Sequence, residues 1–453
     1  MTGVPLALQI VEVAPGGDGV AIVAHGGERR AVFVRGAAPG DRLEAHVDFH
    51  SRPARGHLSS LSSPGADRIT PPCPHAMRCG GCNWMHLATH AQTRIHVEHL
   101  RAALPGAWSE HPIRSIPAAR ELGYRTRARI HVRASGGRAI VGMHAPSSHE
   151  PVEVDTCRVL HPTIERARLA LGPLFDGAHG TGEVEIALGP LATGDANAND
   201  DVSSFVLAVR WSGALPAEVY ARFERALASN TETAEGLGGV SVVCGEATRP
   251  AIIGDPTPWM RGADGSPLRL AVGGFAQASE QGNLLLARRV GELAADVSSS
   301  TPAKPANIVE LYAGAGNFTI LLARHGRVVA VEANAEACRA AQDNVRTRDL
   351  SPEAKIVEAD AATFALPKGL RLLVLDPPRT GARAACEQLA TMRAPPRFVL
   401  YVSCDLATLG RDLRILSPTY RPRAIEAFEL FPQTSHLETL VLLAHERSER
   451  HPS

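Results

Sequence analysis

A cysteine ends an apolar, strand-like run in Tyr401-Val402-Ser403-Cys404-Asp405, just before a helical pattern that begins near Ala407. A thiol there feels the partial positive charge of a helix N-terminus, which favours the thiolate and so nucleophilic chemistry. The competing reading is a buried, inert thiol, because cysteine packs as a small apolar residue. Cys338 and Cys386 fit that second reading, each inside a helical pattern without a motif around it. A covalent nucleophile needs a partner that moves protons. His436 and Glu438, in Phe431-Pro432-Gln433-Thr434-Ser435-His436-Leu437-Glu438, lie two apart ahead of the last apolar run. On a strand they would share a face, so either could serve as base; an exposed pair on a terminal strand is the bland alternative.

A second constellation is Glu310-Leu311-Tyr312-Ala313-Gly314-Ala315-Gly316-Asn317-Phe318-Thr319, at the end of another strand-like run. Two glycines let the backbone turn tightly and approach a ligand before a helix starts. The dinucleotide fingerprint has a third glycine three positions after the second, and Thr319 stands there instead, which disfavours NAD and FAD. Glu332 ends the next strand-like run, where an acid accepts from ribose hydroxyls. Asp360 follows the third, placed to reach an adenine edge. Gly314 with Glu332 and Asp360 therefore suits an adenosyl cofactor without a pyrophosphate. Asp376-Pro377-Pro378-Arg379 follows the fourth run, beside such a cofactor, and its prolines stiffen the loop; a rigid turn without chemistry is the plain alternative. Methyltransferases acting on amino nitrogens carry a similar loop with an aromatic fourth residue, and Arg379 offers no ring. A thiolate beside a methyl sulfonium suits a carbon too poor in electrons to take the methyl unaided, such as carbon 5 of uracil. Sulfur adds at carbon 6, carbon 5 takes the methyl, and a base removes the carbon 5 proton so that cysteine can leave.

Cys73, Cys79 and Cys82 share a short Gly-containing loop, and Cys157, in Asp155-Thr156-Cys157-Arg158, is the candidate fourth thiolate. Four thiolates suit tetrahedral zinc or an iron–sulfur cluster. Structural zinc is the commoner outcome, but zinc sites more often show two Cys-x2-Cys pairs and one is present here, so the residues leave both open. Eight cysteines in a chain with no visible export signal read as metal-binding or catalytic rather than as disulfides. Between Arg114 and Arg138 lie seven arginines and one acid, Glu121. A strand through Tyr124–Arg133 would put Arg125, Arg127, Arg129 and Arg133 on one face. Phosphate contact is the functional reading, and a solvated face balanced by acids from elsewhere is the alternative.

These residues must be positioned by more than one core, since 453 residues imply two or three domains. A hydrophobic content of 44% with 21% charged residues is that of a globular protein. The 47 basic and 47 acidic side chains balance, so any contact with nucleic acid rests on local patches. No run approaches the roughly eighteen apolar residues of a membrane helix, and Met1 to Val13 lacks the features of a secretory signal; a cytoplasmic address, no membrane partner and a monomer are expected. Leu8 to Val13, Val20 to Val23, Ala31 to Val34 and Leu43 to Val47 are short strands at even spacing, the pattern of a small barrel or sandwich. His90 to Leu104 has helical spacing. Thr193 to Ser204 reads as a mobile loop, Val297 to Asn307 as a connection and the tail from Glu446 as frayed. From Ile308 onward, strand-like runs (Ile308 to Leu311, Val328 to Val331, Lys355 to Val357, Leu372 to Leu375, Phe398 to Val402) alternate with helical patterns, which implies a doubly wound parallel sheet. Ligands on such sheets lie beyond the carboxyl ends of the strands.

In order along the chain, Cys73-x5-Cys79-x2-Cys82, the Gly-x-Gly-Asn-Phe-Thr loop, Asp376-Pro-Pro-Arg, Ser403-Cys404-Asp405-x2-Thr408-Leu409 and His436-Leu437-Glu438 resemble the RNA 5-methyluridine methyltransferases, bacterial ribosomal-RNA branch. The resemblance covers nearly the whole chain, and its motifs are jointly very specific. It implies an α/β protein in three parts: an OB-like β-barrel of the TRAM type that binds RNA (1-65), an α+β central domain with an iron–sulfur cluster (66-270), and a Rossmann-like class I methyltransferase domain (271-453). A helical segment over about 86-115 is expected to pack on the last. The resemblance further implies Cys404 as nucleophile and Glu438 as base. It implies contacts to S-adenosylmethionine from Gln277, Tyr312, Asn317, Glu332, Asp360 and Asp376, and a [4Fe–4S] cluster on Cys73, Cys79, Cys82 and Cys157. The expected substrate is a uridine of 23S rRNA, flipped out of its fold to reach the thiol, with transfer RNA second. Ser279, Ala313, Asp360 and Leu406 stand where the family usually or often has Asn, Cys, Asn and Pro; none of these removes a reacting group. Cytosine-C5 methylation fits Ser403-Cys404-Asp405 less well. A non-catalytic RNA-folding factor should lack Cys404 or Glu438, and a redox protein would leave the glycine loop unexplained.

Overall fold

The computed structural model describes residues 3–135, 137–146, 148–190, 204–229, 234–299 and 306–446. The Asp/Asn-rich stretch ahead of Ser204, the heart of the connection between 297 and 307, and the tail beyond Glu446 lie outside them. The chain forms two compact units: residues 1–100, 143–154 and 431–436 in one, and 101–142, 155–430 and 437–453 in the other. No helix among the described residues is long and apolar enough to cross a membrane.

In the first unit, Val4–Val13, Gly19–His25, Glu28–Val34, Arg42–Asp48 and Ala54–Ser63 close a barrel in the order first, second, third, fifth, fourth. Alternate side chains point inward, and Leu8, Ile10, Val32, Val34, Leu43 and Val47 form the core. The fifth strand escapes sequence reading because Ala54–Ser63 is mostly polar and exposed; its place comes from pairing with the third and fourth strands. Asp41 is fully buried and accepts from the amides of Ala38 (2.6 Å) and Gly65 (2.8 Å) and from Arg68 Nη2 (2.6 Å). The segment 431–436 is held in this unit by Gln92. Its Oε1 accepts from Gln433 N–H (2.8 Å), and its Nε2 donates to Leu87 O (2.8 Å) and Gln433 Oε1 (3.1 Å).

The second unit contains an eight-stranded sheet in the order Ala354–Glu358, Gly326–Glu332, Ala306–Leu311, Leu372–Leu375, Phe398–Ser403, Glu438–His445, Tyr420–Phe428, Ile113–Ile116. The first five strands are parallel, and Glu438–His445 runs antiparallel to Phe398–Ser403. All four residues of Leu372–Leu375 and all eight of Glu438–His445 are buried, as strands covered on both faces must be. Burying each such Leu or Val contributes about 1.5–3 kcal/mol relative to exposure. The expectation of a helical segment over 86-115 holds only for Thr89–Ala103. Pro105 and Pro112 cannot continue a helix, and Ile113–Ile116 instead adds a parallel edge strand beside Tyr420–Phe428. Within the same unit, Ala251–Gly254, Leu237–Cys244, Phe205–Ala214, His179–Leu188 and Arg127–Ser135 lie in that order in a further sheet.

Candidate active site

Ser403 pairs with Thr439 across the antiparallel ladder. One step further along that register sets Cys404, just past its strand, opposite Glu438, the first residue of its own. Glu438 is 1% exposed. The Gln277 side chain hydrogen-bonds its carboxyl, while Oε2 has no partner among the described residues. A buried carboxyl oxygen left unpaired costs free energy unless it has a task, such as holding a proton. His436 is exposed and precedes the strand, so the shared-face argument fails for it; its N–H donates to Thr434 Oγ1 at 3.2 Å. Of the two candidate bases, the ladder puts Glu438 against Cys404.

The thiol itself departs from expectation. Burial, then the fields of Glu438 and Asp376, push Cys404 up to about 11 against the opposing charge of Arg379. The helix Leu406–Leu416 gives little help because Asp405 caps it, Oδ1 accepting from Thr408 N–H at 2.8 Å, which places a carboxylate at its positive end. Burial also raises Asp376 to about 7, and burial with the Asp376 field raises Glu438 well above the usual carboxylate range. Glu310, one strand away, reaches about 8 through burial, and Thr319 donates a hydrogen bond to it. Acidic groups thus crowd the carboxyl ends of Ala306–Leu311 and Leu372–Leu375 and the start of Glu438–His445, and suppress one another's ionisation. A cationic ligand would relieve them.

The glycine loop stands beside this cluster. Tyr312 has φ 67°, a left-handed conformation that costs a non-glycine residue about 1–2 kcal/mol; Gly314, at φ 55°, avoids that strain. Glu332 accepts from Gly314 N–H (2.9 Å) and Asn334 N–H (2.8 Å), which sets the loop. Asp360 is exposed and accepts from Ala362 N–H at 2.9 Å, and its charge, after burial, raises Tyr312. Both ends of the Asn317 amide are engaged: Nδ2 donates to Asn283 Oδ1 (3.0 Å), and Oδ1 accepts from Ala263 N–H (3.3 Å). Sequence reading missed Asn344, which donates to Ala315 O (2.9 Å) and Arg269 O (2.8 Å) and so ties the loop to the strand Pro267–Arg269. It also gave Glu310 no role, although an acid inside Ile308-Val309-Glu310-Leu311 is out of place in a buried strand.

The expected metal centre gains no support from the structure, and the arginine stripe reads differently. All eight cysteines lie among the described residues and none is in a disulfide, but among those residues no three His, Cys, Asp or Glu side chains are gathered to hold a metal ion. Cys73, Cys79 and Cys82 belong to the first unit and Cys157 to the second, and Cys79 Sγ accepts from Gly81 N–H at 3.4 Å. In the arginine stripe, Arg127 pairs with Glu185, and Arg129 Nε lies 2.9 Å from Glu183 Oε1. Both acids come from the adjacent strand His179–Leu188, so these two arginines are neutralised within the sheet, and Arg125 precedes the strand.

The family of tRNA (Uracil-5-)-methyltransferases matches residues 274–446. The chain is 34% identical over 460 residues to the 23S rRNA (uracil(1939)-C(5))-methyltransferase RlmD of Halomonas elongata, covering 98% of this chain and 90% of that protein. It is 30% identical to the enzyme of the same name from Acidithiobacillus ferrooxidans, covering 94% of each. Its fold matches the crystal structure of Pyrococcus abyssi tRNA (uracil-54, C5)-methyltransferase with S-adenosyl-L-homocysteine, at TM-score 0.70 and 21% identity, over 97% of this chain and all of that one. With a thiol and a buried carboxyl set across one ladder beside a glycine loop, and relatives this similar over nearly its full length, the chain belongs to the family of S-adenosylmethionine-dependent RNA uracil-C5 methyltransferases.

Proposed function

We propose that this protein methylates carbon 5 of a uridine in 23S rRNA through a covalent adduct between Cys404 Sγ and uracil carbon 6. The observation that carries the reading is the ladder register that sets Cys404 opposite Glu438, a buried carboxyl with one oxygen unpaired. The favoured substrate is ribosomal because the full-length relatives at 30% identity or more carry that name. S-adenosylmethionine, when bound, supplies the methyl group and a positive sulfonium. The acidic groups around Asp376 fit such a cation, and Gln277, Tyr312, Gly314, Glu332, Asp360 and Asp376 would hold it, with Asn317 acting through the loop it braces.

Cys404, as thiolate, adds to carbon 6, and the ring electrons move to carbon 5 and oxygen 4. Carbon 5 takes the methyl, so the sulfonium becomes a neutral thioether. Glu438 removes the carbon 5 proton, and the electrons of that bond re-form the ring double bond and expel Cys404 Sγ. Gln277 orients the carboxyl throughout. The test is methyl transfer from labelled cofactor to total unmodified RNA, followed by mapping. Cys404→Ala abolishes transfer, and Glu438→Gln accumulates a protein–RNA adduct that survives denaturing gels. An active Cys404→Ala variant would remove the mechanism, and a label mapping to transfer RNA would replace the substrate.

The reading includes residues 1-65 as a TRAM-type RNA-binding barrel, 66-270 as the central domain and 271-453 as the methyltransferase domain. Four half-buried thiols, three of them within one short loop, are the donor type of a [4Fe–4S] cluster. No catalytic step is routed through such a cluster. Iron and labile sulfide in aerobically purified protein would support it, and their absence would remove it.

A further inference from the structure

The strand Leu372–Leu375 delivers the loop that carries Asp376 and Arg379, and the neighbouring Phe398–Ser403 delivers Cys404. Their parallel ladder ends at Leu375 and Tyr401, so it does not hold the loop beyond Leu375 against the sulfur. That restraint comes from the helix Leu406–Leu416. Thr408, Arg411 and Asp412 share one of its faces and bond three successive stations of the loop. Thr408 Oγ1 donates to Arg379 O at 3.1 Å, Arg411 Nη2 donates to Thr380 O at 2.9 Å, and Asp412 Oδ2 accepts from Ala382 N–H at 2.8 Å. From the strand below, the Tyr401 hydroxyl donates to the same Oδ2 at 2.7 Å and accepts from Ala382 N–H at 3.0 Å. Arg411 Nε, at 2.8 Å, satisfies the other oxygen.

Asp412 is fully buried, a costly place for a carboxylate unless every lone pair is used. The loop comes so close that position 381 must lack a side chain: a Cβ on Gly381 would lie 2.6 Å from Asp412 Oδ2 and 2.5 Å from Arg411 Nη2, and its φ is 77°. The loop so held carries both a charge that opposes the thiolate, Asp376, and one that favours it, Arg379; the remaining group acting on the sulfur is Glu438, from the strand Glu438–His445.

We propose that Asp412, seconded by Tyr401, is a positioning residue for the nucleophile: it latches the Arg379–Ala382 end of the loop to the helix that follows Cys404 and so fixes Arg379 in the surroundings of the sulfur, while Asp376, whose N–H donates to Leu311 O, keeps its place when the latch is loosened. The proposal rests on Cys404 being the nucleophile and adds what sets its surroundings. It differs from a purely structural role because loosening the latch changes the reactivity of one thiol.

The test uses full-length protein and two readouts. One is the pH dependence of Cys404 alkylation by iodoacetamide without RNA or cofactor, followed by peptide mass mapping. The other is methyl transfer with separate kcat and KM. Asp412→Ala should lower kcat about 100-fold with KM for RNA within about threefold, and shift the alkylation midpoint to higher pH. Asp412→Asn keeps an acceptor for Ala382 N–H and should recover part of both. Tyr401→Phe and Thr408→Val each remove one tie without opening a cavity, and should move both readouts in the same direction by less. If these two milder variants fold as wild type and leave kcat and the alkylation curve unchanged, the latch has no bearing on the thiol and the proposal falls. A kcat loss with an unmoved alkylation curve would also overturn it. Failure of the nucleophile reading would look different, because Cys404→Ala would then retain transfer in an otherwise intact protein.

Discussion

Cys404, the nucleophile of the proposed mechanism, sits where its reactive form is disfavoured. With the thiol pushed up to about 11 by burial and by Glu438 and Asp376, little thiolate exists near neutrality in the protein alone. The electrostatics have a remedy built into the chemistry. In the proposed mechanism a sulfonium beside Asp376 would cancel part of the negative field and so favour the thiolate when the methyl donor is bound. The sign is fixed: Cys404 ionises as pH rises, and added positive charge moves that rise to lower pH. Alkylation of Cys404 by iodoacetamide should therefore be slow at pH 7 in the protein alone and increase steadily into the alkaline range. S-adenosylmethionine should accelerate it near neutrality, and S-adenosylhomocysteine, which has the same shape without the charge, should not. Equal effects of the two ligands would show that packing rather than charge governs the sulfur.

At the scale of elements, legibility followed from whether a strand announces itself by its own side chains. Leu372–Leu375 and Phe398–Ser403 are continuous apolar runs because both their faces are covered, and the residues at their ends could be read as candidates from position alone. The register joining Cys404 to Glu438 was less legible. It depends on Glu438–His445 inserting between Phe398–Ser403 and Tyr420–Phe428 rather than at the edge, an antiparallel choice that no local pattern encodes. Ile113–Ile116 was hidden for a similar reason: four residues that owe their strand form to a partner more than three hundred positions away. The helix after Cys404 did carry a usable signal. Leu409, Asp412, Leu413 and Leu416 fall on one buried face, and an acid there must be paired. The thiol's raised pKa was missed because burial and the fields of Glu438 and Asp376 come from tertiary packing, which the helix-end argument does not see.

For the whole molecule, each unit has a core of its own, and their stabilities respond to different residues. The barrel depends on Asp41, where a single carboxylate without exposed surface gathers two backbone amides and the Arg68 guanidinium, which is itself largely covered. Burial alone would raise the Asp41 pKa, but Arg68 and the amides of Gly65 and Ala38 outweigh it and hold the group below its ordinary value. A carboxylate depressed in the folded state contributes stability above its unfolded pKa, near 4, and loses it as pH falls through the lower folded value. Asp41→Ala strands Arg68 beside a half-covered cavity, a change that costs about 3–5 kcal/mol when one partner of a buried pair is removed. Because that loss falls within one core, hydrogen exchange should quicken across Val4–Val13, Glu28–Val34 and Arg42–Asp48 and stay unchanged across Ala306–Leu311, Leu372–Leu375 and Phe398–Ser403. The variant's excess exchange should shrink as pH falls below about 4, where wild-type Asp41 begins to lose its own contribution. Uniform acceleration across both sets of strands would mean that the chain unfolds as one cooperative body and that the barrel has no separate stability for Asp41 to control.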